Sequence, residues 1–251
     1  MPIPHVPVRL KELLAILILV FSTSPLTLVL GFGGSAEGHP VSQAIWLVFY
    51  LLTLTFLIPQ LNRFAFVISR SKLILALVAL AILSAFWSID PLGTLRRAIA
   101  LGATTIIGAY LATNFDLRRQ LELTGWSLGI VIVLSFVVVL LWPSYGIHQS
   151  GFDAGKWHGI FHQKGALGQF ASLGAIVFFF LAWTSSRYRW LLWLLFSLAV
   201  TLVLFSQSRN PTIALVTVLG ILPCLSFLWK RWHYLLSSSF SHLLQQLFPS
   251  F

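Results

Sequence analysis

Residues 130–142 read IVIVLSFVVVLLW, and residues 175–183 read AIVFFFLAW. Neither run alternates apolar and polar side chains, as the strands of a transmembrane β-barrel do. Similar apolar runs recur along the chain, and about 20 apolar residues in a helix cross roughly 30 Å of hydrocarbon. These runs therefore predict an all-α polytopic membrane protein.

The composition of the whole chain indicates the same fold class. Of its 251 residues, 58% are hydrophobic and 9% are charged, whereas a soluble domain averages roughly 25% charged residues. A water-soluble fold of this size cannot bury so much apolar surface. The net charge of +10 does not indicate nucleic-acid binding, because the basic residues are spread in ones and twos. Cys224 is the single cysteine, which excludes a disulfide framework.

The apolar runs predict eight membrane spans. The basic residues of the N-terminus and of alternate connections make up eleven of the sixteen Lys and Arg, so the positive-inside rule places both termini in the cytoplasm. The first run is expected to be an uncleaved helix, because no small-residue cleavage site follows it. We expect one transmembrane domain, 1–233, and an amphipathic tail, 234–251. The predicted spans lie at roughly 12–32, 41–59, 72–88, 95–113, 122–142, 165–184, 190–207 and 211–229.

Five basic residues lie on the predicted outer side and so oppose the orientation signal. Charged residues at membrane depth or at its boundary are candidates for function. The alternative is that these side chains only extend to the lipid headgroups. The five residues are Arg96, Arg97, Lys156, Lys164 and Arg209.

The first stretch that holds outer cations is 84–97, SAFWSIDPLGTLRR. Thr94 is a candidate helix cap, which would place Arg96 and Arg97 in the first turn of the next helix. Cations there oppose the helix dipole. Their position therefore predicts an anionic partner, either Asp90 or a bound phosphate.

The second stretch is 155–170, GKWHGIFHQKGALGQF. Lys156 and Lys164 are compact cations suited to phosphate. His158 and His162 have the i, i+4 spacing that can hold a metal on a helix. Apart from Asp153, no carboxylate or cysteine cluster completes such a site, so we predict no metal. The alternative for these histidines is hydrogen bonding within a loop.

The third stretch is 206–211, SQSRNP, in which Arg209 offers a planar fork for a phosphate or a carboxylate. The alternative is a capped helix turn with Pro211 at the first helical position. All three stretches fall on one face of the membrane and predict a cationic outer pocket for an anionic, lipid-embedded substrate. Both a polyprenyl-pyrophosphate-linked glycan and the substrate of an anion transporter fit this description.

The segments WSIDPLGTLRR, GIFHQKGALG and SQSRNP, in this order, resemble motifs of the bacterial O-antigen ligase and O-antigen polymerase family. The resemblance covers about residues 80–225. Gly165 stands where the family usually has asparagine after the lysine. Family members usually have more spans and a large periplasmic loop that carries the catalytic histidine, so the resemblance implies a member truncated in its C-terminal half.

The resemblance implies a GT-C-type glycosyltransferase of surface polysaccharide biosynthesis, in the bacterial inner membrane, that needs no metal or other cofactor. Such an enzyme moves a glycan from undecaprenyl pyrophosphate to lipid A-core or to a growing glycan at the periplasmic face. The alternatives are a transporter or flippase for an anionic lipid or solute, and an inactive fragment. The resemblance and the outer-face pattern together assign pyrophosphate binding to Arg96, Arg97, Lys156, Lys164 and Arg209, and leave His158 and His162 as candidate bases.

Overall fold

The structure is a computed structural model that describes residues 8–23, 40–184 and 188–221. In these ranges every regular element is helical, and one isolated antiparallel bridge joins Ile147 to Trp157. The all-α prediction is thus confirmed for the described part of the chain. The α-helices are α1 (Val8–Ser22), α2 (Pro40–Leu57), α3 (Leu61–Arg70), α4 (Lys72–Leu83), α5 (Pro91–Asn114), α6 (Leu117–Leu141), α7 (Pro143–Gly146), α8 (Lys164–Thr184), α9 (Arg189–Ser206) and α10, described over 209–221.

Four helical segments of the described residues are long and apolar enough to cross a membrane. In chain order, they contain most of the predicted spans 41–59, 122–142, 165–184 and 190–207. The first of them is longer than predicted, because α2 continues through the 3₁₀ turn Ile58–Gln60 into α3. The four segments are Gln43–Arg70, Leu117–Leu141, Lys164–Thr184 and Arg189–Ser206.

Of the other four predicted spans, two are not among the segments that are long and apolar enough to cross a membrane, and two extend beyond the described residues. At 72–88, helix α4 has 12 residues, about 18 Å at 1.5 Å per residue, and a 3₁₀ turn follows at Ser84–Trp87. At 95–113, α5 is long, but its arginines and threonines make it less apolar than the four segments above. The predicted spans at 12–32 and 211–229 extend beyond the described residues.

The chain divides into two compact units, and the single transmembrane domain over 1–233 stays a prediction. The first comprises Met1–Val131 with Ile160–His162, and the second comprises Ile132–Gly159 with Gln163–Phe251. The predicted tail, 234–251, lies outside the described residues. The core of the first unit is formed by apolar side chains of α1, α2, α5, α6 and the residue between α5 and α6: Leu14, Ala15, Ile18, Phe49, Leu57, Ile107, Tyr110, Phe115 and Leu123.

A polar network borders this core. Asn114 Oδ1 accepts hydrogen bonds from Lys11 Nζ at 2.9 Å and from Gln60 Nε2 at 2.8 Å. Arg119 forms ion pairs with Glu12 at 2.7 Å and with Glu122 at 2.6 Å. Two of the basic residues that follow the positive-inside pattern therefore have partners within the fold that tie α1 to α5 and α6.

The second unit is built around α8 and α9, which pack against each other. Small residues on α8, such as Ala171, Gly174 and Ala175, are buried and allow the helices to approach closely. Near the start of α8, a Cβ added at Gly168 would lie 3.1 Å from the Ser206 hydroxyl oxygen and from Ser208 Cβ. The first turn of α8 therefore lies against the turn that follows α9.

Candidate functional site

Residues 147–159, called the outer loop after the side of the membrane predicted for them, form a short chain reversal between α7 and α8. The His148 N–H donates to the Lys156 carbonyl at 3.0 Å, and the Gly155 N–H donates to the His148 carbonyl at 2.8 Å. Gly151 and Gly155 have φ angles of +77° and +78°, which glycine adopts without steric cost. The glycines noted in the sequence thus allow this stretch to fold back on itself.

Trp157 attaches the outer loop to the end of α9. The backbone N–H of Trp157 donates to the Phe205 carbonyl at 3.1 Å. The rings of Trp157 and Phe205 stack with centroids 4.3 Å apart, and the Phe136 ring of α6 lies edge-on at 6.3 Å. The second and third stretches singled out in the sequence therefore meet in one place.

A cluster of charges lies at this junction. Asp153 Oδ1 accepts hydrogen bonds from Lys156 Nζ at 2.8 Å and from Lys164 Nζ at 2.6 Å. Both ammonium groups also lie over the Phe152 ring, at 4.5 Å and 6.0 Å from its centroid. Lys156 and Lys164 are half-buried, with 16% and 23% of their side chains exposed.

Arg209, the first residue of α10, completes the cationic cluster, which we define as Asp153, Lys156, Lys164 and Arg209. Hydrogen bonding to Asp153 raises the pKa of Lys156, while repulsion from the exposed Arg209 lowers that pKa by a smaller amount. Arg209 is therefore close enough to Lys156 to interact with it electrostatically. Three cations and one carboxylate give the cluster a net charge of +2, which favours binding of an anion.

The Asp153 carboxylate is held strongly in its ionised form. Hydrogen bonds from Lys156 and Lys164 lower the pKa of Asp153 to about 2, from an ordinary value of 3.8. A carboxyl group whose pKa is lower in the folded state contributes stability above its unfolded pKa and loses it as the pH falls. The stabilising contribution of Asp153 should thus be complete above about pH 4 and disappear between pH 4 and pH 2.

This pH dependence can be measured as the difference in unfolding temperature between the wild type and Asp153→Asn in detergent. We expect the difference to stay constant from pH 7 down to about pH 4, and to shrink below it. A difference that changes already between pH 6 and pH 5 would mean that Asp153 does not bridge the two lysines in solution.

The histidines do not form the helical pair that a metal site requires. Residues 158–163 precede α8 and are not helical, so His158 and His162 do not lie one turn apart on a helix. In the described ranges, no three or more His, Cys, Asp or Glu side chains are grouped so as to hold a metal. His158 is buried and its ring lies 4.3 Å from that of His148, while His162 is exposed.

His148 was not singled out in the sequence. Its proximity to His158 follows from the pairing of Ile147 with Trp157, which brings the next residue on each side of the chain reversal together. Two glycines, Gly151 and Gly155, lie between His148 and His158 in the sequence and indicate a chain reversal there. Such a reversal places residues 148 and 158 side by side.

The start of α5 differs from the sequence prediction. Asp90, not Thr94, caps this helix, because its Oδ1 accepts from the Gly93 N–H at 3.1 Å and Pro91 occupies the first helical position. The Thr94 hydroxyl instead lies 2.6 Å from the Ser88 hydroxyl. The carboxylate of Asp90 is thereby used as a cap.

Arg96 and Arg97 consequently lie in the second turn of α5 and not in its first. Both are exposed, and neither takes part in an ion pair among the described residues, so the predicted pairing with Asp90 is not found. They belong to the first unit, whereas Lys164 and Arg209 belong to the second. The structure thus brings together three of the five outer cations, Lys156, Lys164 and Arg209.

The turn after α9 is shaped by Gln207, whose φ of +48° ends the helix in the left-handed region. Ser208 is buried, and its carbonyl accepts from the Thr212 N–H at 3.3 Å and from the Thr212 hydroxyl at 2.9 Å. Because α10 begins at residue 209, Pro211 is its third residue and not its first. Arg209 is therefore presented at the helix start, next to the outer loop.

Comparison of the chain with protein-family models, with curated proteins and with solved structures finds no match.

Proposed function

We propose that this chain is an O-antigen ligase or polymerase-type glycosyltransferase with a GT-C-like fold of eight spans. The observation that carries the proposal is the cationic cluster. Lys156 and Lys164 bond to the same carboxylate oxygen. Arg209 comes from a stretch well separated from them in the sequence, yet its turn packs against the first turn of α8 and it acts electrostatically on Lys156. A pyrophosphate group linked to a lipid has the charge and the position that such a cluster would recognise.

The reaction is the transfer of a glycan from undecaprenyl pyrophosphate to an acceptor hydroxyl on lipid A-core or on a growing glycan. The hydroxyl oxygen bonds to the anomeric carbon, and the bond from that carbon to the phosphate oxygen breaks. The bonding electrons leave with undecaprenyl pyrophosphate, and the hydroxyl proton passes to a base. Lys156, Lys164 and Arg209 would stabilise the charge that develops on the departing pyrophosphate.

Two histidines of the second stretch, 155–170, are candidates for the base. His162 is exposed and would be accessible to an acceptor, whereas His158 is buried beside His148. A base must come within hydrogen-bond reach of the acceptor hydroxyl. Exposure therefore favours His162 as the residue to test first.

The placement in the membrane follows from the distribution of basic residues. With both termini in the cytoplasm, the outer loop and the turn after α9 would face the periplasm of a bacterial inner membrane. Lys11 and Arg119, on the opposite predicted face, have partners within the fold. Lys156 and Lys164 instead share a single carboxylate, which together with the nearby Arg209 leaves positive charge for a substrate on the predicted periplasmic side.

The function can be tested in a deletion strain by comparing its surface-glycan profile with and without this 251-residue chain. We expect the deletion to remove the polymerised or ligated surface glycan, and the chain to restore it. A defect that persists would mean that the chain does not act alone. A normal profile in the deletion strain, together with altered export of an anionic solute or lipid, would instead support a transporter.

A further inference from the structure

The Asp153 carboxylate occupies the centre of the cationic cluster. Its Oδ1 lies 2.8 Å from Lys156 Nζ and 2.6 Å from Lys164 Nζ, so one oxygen accepts from two ammonium groups. A phosphate oxygen forms charge-assisted hydrogen bonds of the same kind and length. The position in which a substrate phosphate would be bound most strongly is therefore filled by a side chain of the protein.

We propose that the Asp153 carboxylate holds a phosphate subsite in the empty protein and leaves it when the pyrophosphate of the substrate binds. This inference rests on the proposed function, since it assigns the displaced position to the pyrophosphate of the lipid-linked glycan. Asp153 then acts as an internal competitor that a substrate must displace.

The tip of the outer loop, which carries Asp153, is not held by buried apolar packing. The neighbouring Phe152 side chain is 95% exposed. Gly151 and Gly155, on either side, adopt positive φ, and a Cβ at either would have no neighbouring atom within 4 Å. Movement of the loop tip between these glycines would therefore break no buried packing.

The charges explain why a placeholder is useful and why it can be displaced. Without Asp153, the two half-buried lysines would lie close together with no anion between them, and like charges destabilise each other. With Asp153 they meet one negative charge. The diester pyrophosphate of a lipid-linked glycan brings two negative charges and more acceptor oxygens, so the exchange favours the substrate.

The same arrangement provides selectivity among anions. A monovalent anion offers no more charge than the carboxylate that it would replace, whereas a pyrophosphate does. The cluster should therefore remain occupied by Asp153 in the presence of monovalent anions and open to a pyrophosphate, which reduces competition from common ions at the membrane surface.

The test is titration of the detergent-solubilised full chain with inorganic pyrophosphate at pH 7 by calorimetry. If Asp153 occupies the subsite for about nine-tenths of the time, removing its charge should tighten the apparent affinity about tenfold. We expect this gain in Asp153→Asn. Asp116→Asn is the matched control, because it removes the same charge from an exposed residue before α6, where asparagine also serves as a helix cap. It should bind pyrophosphate as the wild type does.

Each outcome has a separate meaning. If the wild type binds pyrophosphate and Asp153→Asn binds it equally or less well, Asp153 positions the lysines and the placeholder inference is overturned, while the proposed function stands. If neither protein binds pyrophosphate, the cluster does not recognise this group and both proposals fail. Adding Lys164→Gln to Asp153→Asn should abolish the gain, and retention of it would mean that pyrophosphate binds elsewhere.

Discussion

Replacing Lys164 by glutamine is expected to lower the rate of glycan transfer at least about a hundredfold, the usual loss when one preorganised electrostatic contact to the transition state is removed. Glutamine keeps most of the side-chain length but carries no charge. The Lys164 ammonium is half-buried and hydrogen-bonded at 2.6 Å in the present structure. Its side chain, only 23% exposed, therefore holds the ammonium near the subsite before the substrate arrives, which is the condition under which an electrostatic contact contributes most.

The measurement is the amount of surface glycan made in the deletion strain that expresses each variant at equal membrane levels. Arg209→Ala should give a similar loss, since Arg209 is the exposed cation of the cluster. Lys72→Gln is the matched control, because it removes the same charge from an exposed residue at the start of α4. Normal glycan in both Lys164→Gln and Arg209→Ala would contradict the proposed role of the cluster in binding pyrophosphate.

The four long apolar helical segments could be predicted from the sequence because each residue adds its own hydropathy to the run, whatever its neighbours are. A run such as 130–142 is apolar at nearly every position, and no local interaction changes that property. Helix length was harder to predict where a turn interrupts an apolar run. The Ser84 hydroxyl donates to the Ala81 carbonyl at 2.7 Å, and a 3₁₀ turn replaces the α-helix there. The apolar composition of the run does not predict this change of helix type.

The cluster was predicted in part. Lys156, Lys164 and Arg209 can be identified in the sequence because each breaks the positive-inside pattern. The role of Asp153 depends on which residues meet, and that is decided by the chain reversal of the outer loop. The sequence contained the glycines of that reversal but not its geometry, so the carboxylate at the centre of the cluster was not anticipated.

Replacing Gly159 by alanine is expected to lower the folding stability strongly. The φ of Gly159 is +59°, and a Cβ there would lie 2.7 Å from Ser135 Cβ and 3.0 Å from the Ser135 hydroxyl oxygen. The left-handed conformation costs an ordinary residue about 1–2 kcal/mol, and overpacking a tight site typically costs about 1–3 kcal/mol more. We therefore expect a loss of about 2–5 kcal/mol, measured as a lower unfolding temperature or denaturant midpoint in detergent.

Two further variants separate these causes. Gly155→Ala imposes the same kind of left-handed strain, at a φ of +78°, but its new methyl group lies in open space. Its loss of stability should therefore contain only the cost of the left-handed backbone, about 1–2 kcal/mol. Ser135→Gly added to Gly159→Ala removes the Cβ that obstructs the new methyl group. The double variant should therefore lose less stability than the sum of the losses in the two single variants. Equal losses in Gly155→Ala and Gly159→Ala would show that Gly159 does not pack against α6. Ser135 is buried, and its hydroxyl has no hydrogen-bond partner in the described part of the chain, so Ser135→Gly breaks no hydrogen bond of this side chain.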